Sequence, residues 1–231
     1  MRRVRIGIIA AFLASWSFVD APKAADVKIG STSISLPLLP GYCEMDPVVA
    51  EDARLIAALH RTLTRTGHRL LLMTADCAEL MEWRDRKRAV LDHMAQYQTL
   101  LANEQGPLPD APEGLVKRYC DEMQAVSDRA MPGSNPDAQE RAEDASKSIR
   151  TSEMKHLGVV AQEPLACYVG TLHKFAVENA GEFTQATVIA AMIIKDKILI
   201  CYVTAPYLGR ETISALLARQ RVNVSQMQRA N

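Results

Sequence analysis

Two apolar runs near the C-terminus, Thr187–Ile194 and Ile198–Val203, are joined by Lys195-Asp196-Lys197 and lead into an amphipathic tail ending near Met227. Short apolar runs around a polar turn predict a β-hairpin, and the helix-period pattern after it predicts a helix. The hairpin constrains the fold more than any other stretch. An antiparallel strand with one wet face alternates apolar and polar residues, whereas Val188–Ile194 and Ile198–Val203 are apolar on both faces. Such strands need cover on both sides. The expected architecture is therefore α+β: a mainly antiparallel sheet covered by helices on both faces, a three-layer α/β/α sandwich.

The N-terminus has a separate logic. Arg2, Arg3 and Arg5 precede an uncharged run from Ile6 to Val19, and small residues follow up to Ala25. Basic head, apolar segment and small-residue exit are the layout of a secretory signal peptide. The apolar run is shorter than the roughly 20 residues a membrane-spanning helix needs. Residues 1–25 are read as a signal peptide and 26–231 as one domain, with cleavage after Ala21, Ala24 or Ala25. The expected location is the periplasm or the cell exterior, with no stable membrane insertion after cleavage. The 27 basic and 27 acidic side chains balance, and loss of residues 1–25 leaves a net charge of about −3. That balance argues against a nucleic-acid partner.

Between these ends, Val27–Leu36 alternates and predicts an opening strand closed by Pro37-Leu-Leu-Pro40. Asp46-Pro47 reads as a helix start, and Val48, Val49, Leu55, Ile56, Leu59 and Leu63 form one stripe up to Gly67, predicting a helix over 47–66. Arg69–Ala75 predicts a strand and Cys77–Arg88 a short surface helix or loop; Leu91–Leu101 is open between strand and helix, with the alternation of Met94, Gln96 and Gln98 favouring a strand. Pro112 opens a helix carrying Leu115, Val116, Tyr119, Cys120, Met123 and Val126; Pro136, capped by Asn135, opens a thin peripheral one. Leu157–Ala161 and Leu165–Leu172 predict two strands, and Glu178–Glu182 a turn. Ile213, Leu216, Leu217, Val224 and Met227 give the last helix its core face.

The closing Lys195–Tyr207 run, followed by Glu211-Thr-Ile-Ser-Ala-Leu-Leu217, resembles the last strand and helix of PsbP-like domains. The segments Pro40-Gly-Tyr-Cys43, Ala75-Asp-Cys77 and Trp83-Arg84 resemble those of short exported alphaproteobacterial proteins. The resemblance implies a sheet between helices and a scaffold or binding role, and it transfers no catalytic residue.

Five cysteines, Cys43, Cys77, Cys120, Cys167 and Cys201, have no Cys-x-x-Cys spacing, which argues against a zinc ribbon or a redox pair. In an oxidising compartment they form at most two disulfides. Cys43, after the first strand, and Cys77, ending the second, are expected side by side, closing a loop of about 34 residues. Cys167 and Cys201, each before a Tyr in an apolar strand, are the second candidate pair, and Cys120 reads as an inert core thiol. Ser152-Glu-Met-Lys155 matches the Ser-x-x-Lys pattern of penicillin-interacting enzymes but lacks the companion motifs. His60, His68, His93, His156 and His173 are scattered, so neither a metal nor another cofactor is expected. Trp83, Arg84, Arg86 and Arg88 are the one dense mixture of aromatic and charge, read as an interaction patch or as a solvated face with Trp83 lying over the core. The functional expectation is a non-catalytic binding or structural protein for a protein partner or a small ligand. The rival is a hydrolase or other enzyme whose site is assembled from distant residues.

Overall fold

The computed structural model describes residues 24–104, 106, 108, 111–130, 153–177 and 181–231. Residues 1–23 of the expected signal peptide, the helix expected from Pro136 and Ser152 of the Ser-x-x-Lys pattern lie outside these residues; Ala24 and Ala25, the last two residues of that expected peptide, begin a strand.

The chain runs β1 (Ala24–Ile29), β2 (Thr32–Pro37), β3 (Tyr42–Glu44), α1 (Ala50–Arg65), β4 (His68–Asp76), α2 (Cys77–Arg84), β5 (Met94–Leu100), a 3-10 turn (Leu101–Glu104), α3 (Pro112–Ala130), β6 (Met154–Glu163), β7 (Ala166–Val177), β8 (Gly181–Ile194), β9 (Lys197–Pro206) and α4 (Glu211–Ala230). Strands β3 to β9 form one antiparallel seven-stranded sheet in the order β3-β4-β5-β9-β8-β7-β6. The fold is α+β, with cover on both faces of the sheet.

The closing hairpin explains why its strands are apolar throughout. Lys195 and Asp196 both take positive φ, 48° and 57°, the two-residue turn that matches strand twist. Register then places Val188 opposite Val203, Ala190 opposite Cys201 and Met192 opposite Leu199 on one face. These pack under α4 with Ile213, Leu216, Val224 and Met227 and with the β1–β2 hairpin. On the other face, Ala191 opposes Ile200 and Ile193 opposes Ile198. There Cys167, Val169 and Ile193 meet Val116 and Cys120 of α3. On that same face, at the far side of the sheet, Met73 and Ala75 of β4 and Leu80 of α2 pack with Leu55, Ile56 and Leu59 of α1.

Three expectations need correction. The opening strand is two: β1 and β2 pair with each other as a separate hairpin turning at Gly30-Ser31, and they do not join the main sheet. Helix α1 starts at Ala50 rather than Pro47. Asp46 forms a preceding turn, its Oδ1 accepting from Val48 N at 2.8 Å, and Val48 is left 89% exposed, off the apolar stripe. The third concerns the disulfides. Cys43 bonds Cys77 with Cα atoms 4.9 Å apart, but the second bridge joins Cys120 to Cys167, with Cα atoms 5.7 Å apart. Cys167 and Cys201 cannot pair. Cys167 opposes Ala191 and Cys201 opposes Ala190, so they point to opposite faces with β8 between them, roughly 9–10 Å of sheet. Cys120 is thus a staple from α3 to β7, and Cys201 is the buried free thiol.

Candidate functional site

Helices α1 and α3 share one face of the sheet without covering it. α1 packs mainly on β4, and α3 on β6 and β7. The strands between them, β5, β9 and β8, form the floor of a cleft.

The wall comes from α3. Val116, Cys120 and Ser127 are buried against the sheet, and the Cys120–Cys167 bridge fixes that docking. Gln124 adds a hydrogen bond, its Oε1 accepting from Val159 N at 3.0 Å. The neighbouring stripe, Leu115, Tyr119 and Met123, follows helical spacing and lines a cavity of about 430 Å³. Ala191, Ile193, Ile198, Ile200 and Tyr202 line its floor, with His68, Arg118 and Glu122 also contributing. Burial raises the pKa of Tyr119 and of Tyr202 above the ordinary phenol value, so both stay neutral.

A smaller cavity of about 160 Å³ lies farther along the same face, and Tyr202 lines both. Its lining is different in kind: Gln96, Gln185, Thr187 and Thr204, with Met73 and Met94. Gln185 Nε2 donates to Leu91 O at 3.4 Å and Thr204 Oγ1 to Met94 O at 3.3 Å, which holds both side chains in place. On the same face of β5, Gln98 is 1% exposed and its Oε1 has no hydrogen-bond partner among the described residues.

The patch of Trp83, Arg84, Arg86 and Arg88 singled out in the sequence lies elsewhere, whereas His68 lines the larger cavity and the Cys120–Cys167 bridge sits at its wall. Trp83 is half-buried and packs on the cluster under α1, which makes it a cover over core. Arg84 pairs with Asp52, a carboxylate with no exposed surface, through two of its nitrogens; hydrogen bonding to that carboxylate raises the guanidinium's already high pKa. Arg86 meets Glu51 at 3.1 Å, and Arg88 meets Glu82 at 3.1 Å and Asp92 at 2.6 Å. All three arginines are therefore engaged within the chain, where they tie α2 to α1 and to the loop before β5.

Glu79 and His93 form a carboxylate–imidazole pair beside this cluster. His93 Nδ1 lies 2.7 Å from Glu79 Oε1, and Glu79 Oε2 accepts from the backbone N–H groups of Asp92 and His93. Burial pushes Glu79 up, yet the hydrogen bonds from His93 and Asp92 outweigh it and hold the carboxyl below its ordinary value. With both oxygens occupied by the loop, Glu79 acts as a clamp on the entry to β5. No group of three or more His, Cys, Asp or Glu residues able to hold a metal occurs among the described residues. Among them, too, no helix is long and apolar enough to cross a membrane.

The cleft escaped the sequence reading because its residues look like core. Ala191, Ile193, Ile198 and Ile200 are apolar in apolar strands, and among the described residues only the gap between α1 and α3 makes them a lining.

Neither a protein-family model nor a curated protein matches the sequence. Among solved structures, the Saccharomyces cerevisiae Ran-binding protein Mog1p shares 12% identity over 91% of this chain and 93% of that one, with a TM-score of 0.32. A likeness at that level carries no argument about function.

Proposed function

We propose that this is an exported, non-catalytic binding protein that takes an apolar small molecule in the cleft between α3 and the sheet. The observation that carries the reading is the cavity of about 430 Å³ behind Leu115, Tyr119 and Met123. Its size falls in the range of roughly 300–1,000 Å³ typical of small-molecule sites, and its lining is predominantly apolar. Export is supported by the basic and apolar N-terminus and by two disulfides, which persist in oxidising compartments. A binding role is also what the resemblance of the closing strand and helix to PsbP-like domains implies.

The binding test uses Nile red, a neutral apolar dye whose emission rises on leaving water. Saturable binding to the wild-type protein is expected, and it is abolished by Ala191→Phe and by Met123→Trp, which fill the cavity from floor and wall. Variants are compared only where their melting temperature shows that they fold. Dye binding that never saturates, or that survives both filled variants, overturns the reading. Export is checked by cell fractionation with N-terminal sequencing of the mature chain; a cytosolic, full-length product refutes it.

A further inference from the structure

The floor of the cleft changes character along its length, and register makes the change sharp. Reading away from the β8–β9 turn, the cross-strand pairs on this face are Ile193 with Ile198, Ala191 with Ile200, Ile189 with Tyr202 and Thr187 with Thr204. Both strands switch from aliphatic to hydroxyl side chains at the same level, on either side of the Ile189–Tyr202 pair. Strand β5 adds Leu100 at the apolar end and Gln96 at the polar end, with the buried Gln98 between them beside Ile200. The pairs from Ile198 to Thr204 span six residue steps, roughly 20 Å of strand.

We infer that the cleft takes a linear amphipathic ligand, with its apolar chain against α3 and an uncharged, hydrogen-bonding head among Gln96, Gln185, Thr187 and Thr204. The inference rests on the apolar-cavity reading and adds the class and direction of the ligand. Among the described residues, no Lys, Arg, Asp or Glu lines the polar cavity. A carboxylate or an ammonium there would lose its hydration and meet no opposite charge, which disfavours charged heads. Amides and hydroxyls both donate and accept, and so suit a hydroxyl, ester or amide head. The charged and titratable lining residues, His68, Arg118 and Glu122, belong to the other, apolar cavity. A ligand with an anionic head would therefore have to lie the opposite way round.

The experiment compares monolaurin, lauric acid and dodecane, each below its aggregation concentration, by displacement of Nile red at mildly alkaline pH. Monolaurin is expected to bind about tenfold more tightly than dodecane and than laurate, the scale of one net hydrogen bond. Thr187→Val and Gln96→Met keep the shape of the polar cavity but remove hydrogen-bonding groups. Each is expected to weaken monolaurin by about tenfold and to leave dodecane unchanged. Equal affinity for dodecane and monolaurin, or no effect of these two variants, overturns the head-group assignment and leaves the apolar cavity standing. Tighter binding of laurate, lost in Arg118→Ala, also overturns it by reversing the direction. If none of the three displaces the dye, the linear amphipathic ligand is overturned, while the apolar cavity stands or falls on the dye's own saturable binding and its loss in the filled variants.

Discussion

At the scale of single residues, the least expected feature is a polar cluster in the middle of the core. Gln220 and Asn223 of α4 have no exposed surface. Gln220 Nε2 donates to Val188 O and to Cys201 O, each at 2.8 Å. Asn223 Oδ1 accepts from Tyr97 Oη at 3.1 Å, and its Nδ2 lies 3.1 Å from Cys201 Sγ. Burial pushes the Cys201 thiol up to about 12, so it stays a neutral, unreactive member of the cluster. These bonds link α4 to β5, β8 and β9 and fix one rotation of the helix against the sheet. Gln220→Met keeps the side chain's length but removes both donors, and a loss of about 1–3 kcal/mol is expected. Tyr97→Phe removes one hydrogen bond and should cost about 1 kcal/mol. Urea unfolding measures both; the midpoint should fall with the slope unchanged, and unchanged midpoints would deny the cluster its role. Helical spacing does place residues 220 and 223 beside Leu216 and Val224 in the sequence. Their polarity hid them, because a glutamine in a core position reads as a surface residue until its partners are seen.

At the scale of elements, what could be read depended on whether the signal was local. The closing hairpin, α3 and α4 follow from spacing, caps and turn chemistry within about 20 residues of chain, and the structure keeps them. The β1–β2 hairpin carried a local signal of a subtler kind. Val27 and Ile29 sit at odd positions and Ile34 and Leu36 at even ones, which a single strand would send to opposite faces. Gly30-Ser31 is where the parity changes. Gly30 has φ +58°, and a Cβ there would lie 2.4 Å from the carbonyl oxygen of Glu104. The turn therefore needs a glycine twice, for its backbone conformation and for the 3-10 turn pressed against it. For α1, Asp46-Pro47 is a sound helix-start signal, but Asp52 competes for it. Asp46 N donates to Asp52 Oδ2 at 2.7 Å, and Asp52 is held in turn by Arg84 from a different helix. That is a tertiary contact, and no spacing rule reports it.

At the scale of the molecule, the cleft is a consequence of strand order. Strands β3-β4-β5 with α1 and α2 come from residues 42–100, and α3 with β6 to β9 from residues 112–206; the β5–β9 pairing joins them. On this face each of the two segments brings a helix that covers its own strands, so among the described residues the seam is left between the helices. On the other face α4 reaches β7, β8 and β9 and bonds to Tyr97 of β5, which closes that side. Long-range pairing decides this, and pairing across more than 100 residues of chain, as between Met94 and Thr204, leaves no mark in local pattern. The two disulfides then have separable roles. Each closes a long loop, with separations of 34 and 47 residues, and the chain-entropy model gives about 4 kcal/mol for either. Cys43–Cys77 staples the short edge strand β3 to the start of α2, away from the cleft. Cys120–Cys167 holds the cleft's wall against its floor. Replacing Cys43 and Cys77 together by Ser should lower the denaturation midpoint and leave Nile red affinity as it was. Replacing Cys120 and Cys167 by Ser should lower both, because a loosened α3 no longer presents Leu115 and Tyr119 to the sheet. Equal dye affinity in the two double variants, at temperatures where both remain folded, would show that the wall needs no staple and that the Cys120–Cys167 bridge serves stability alone.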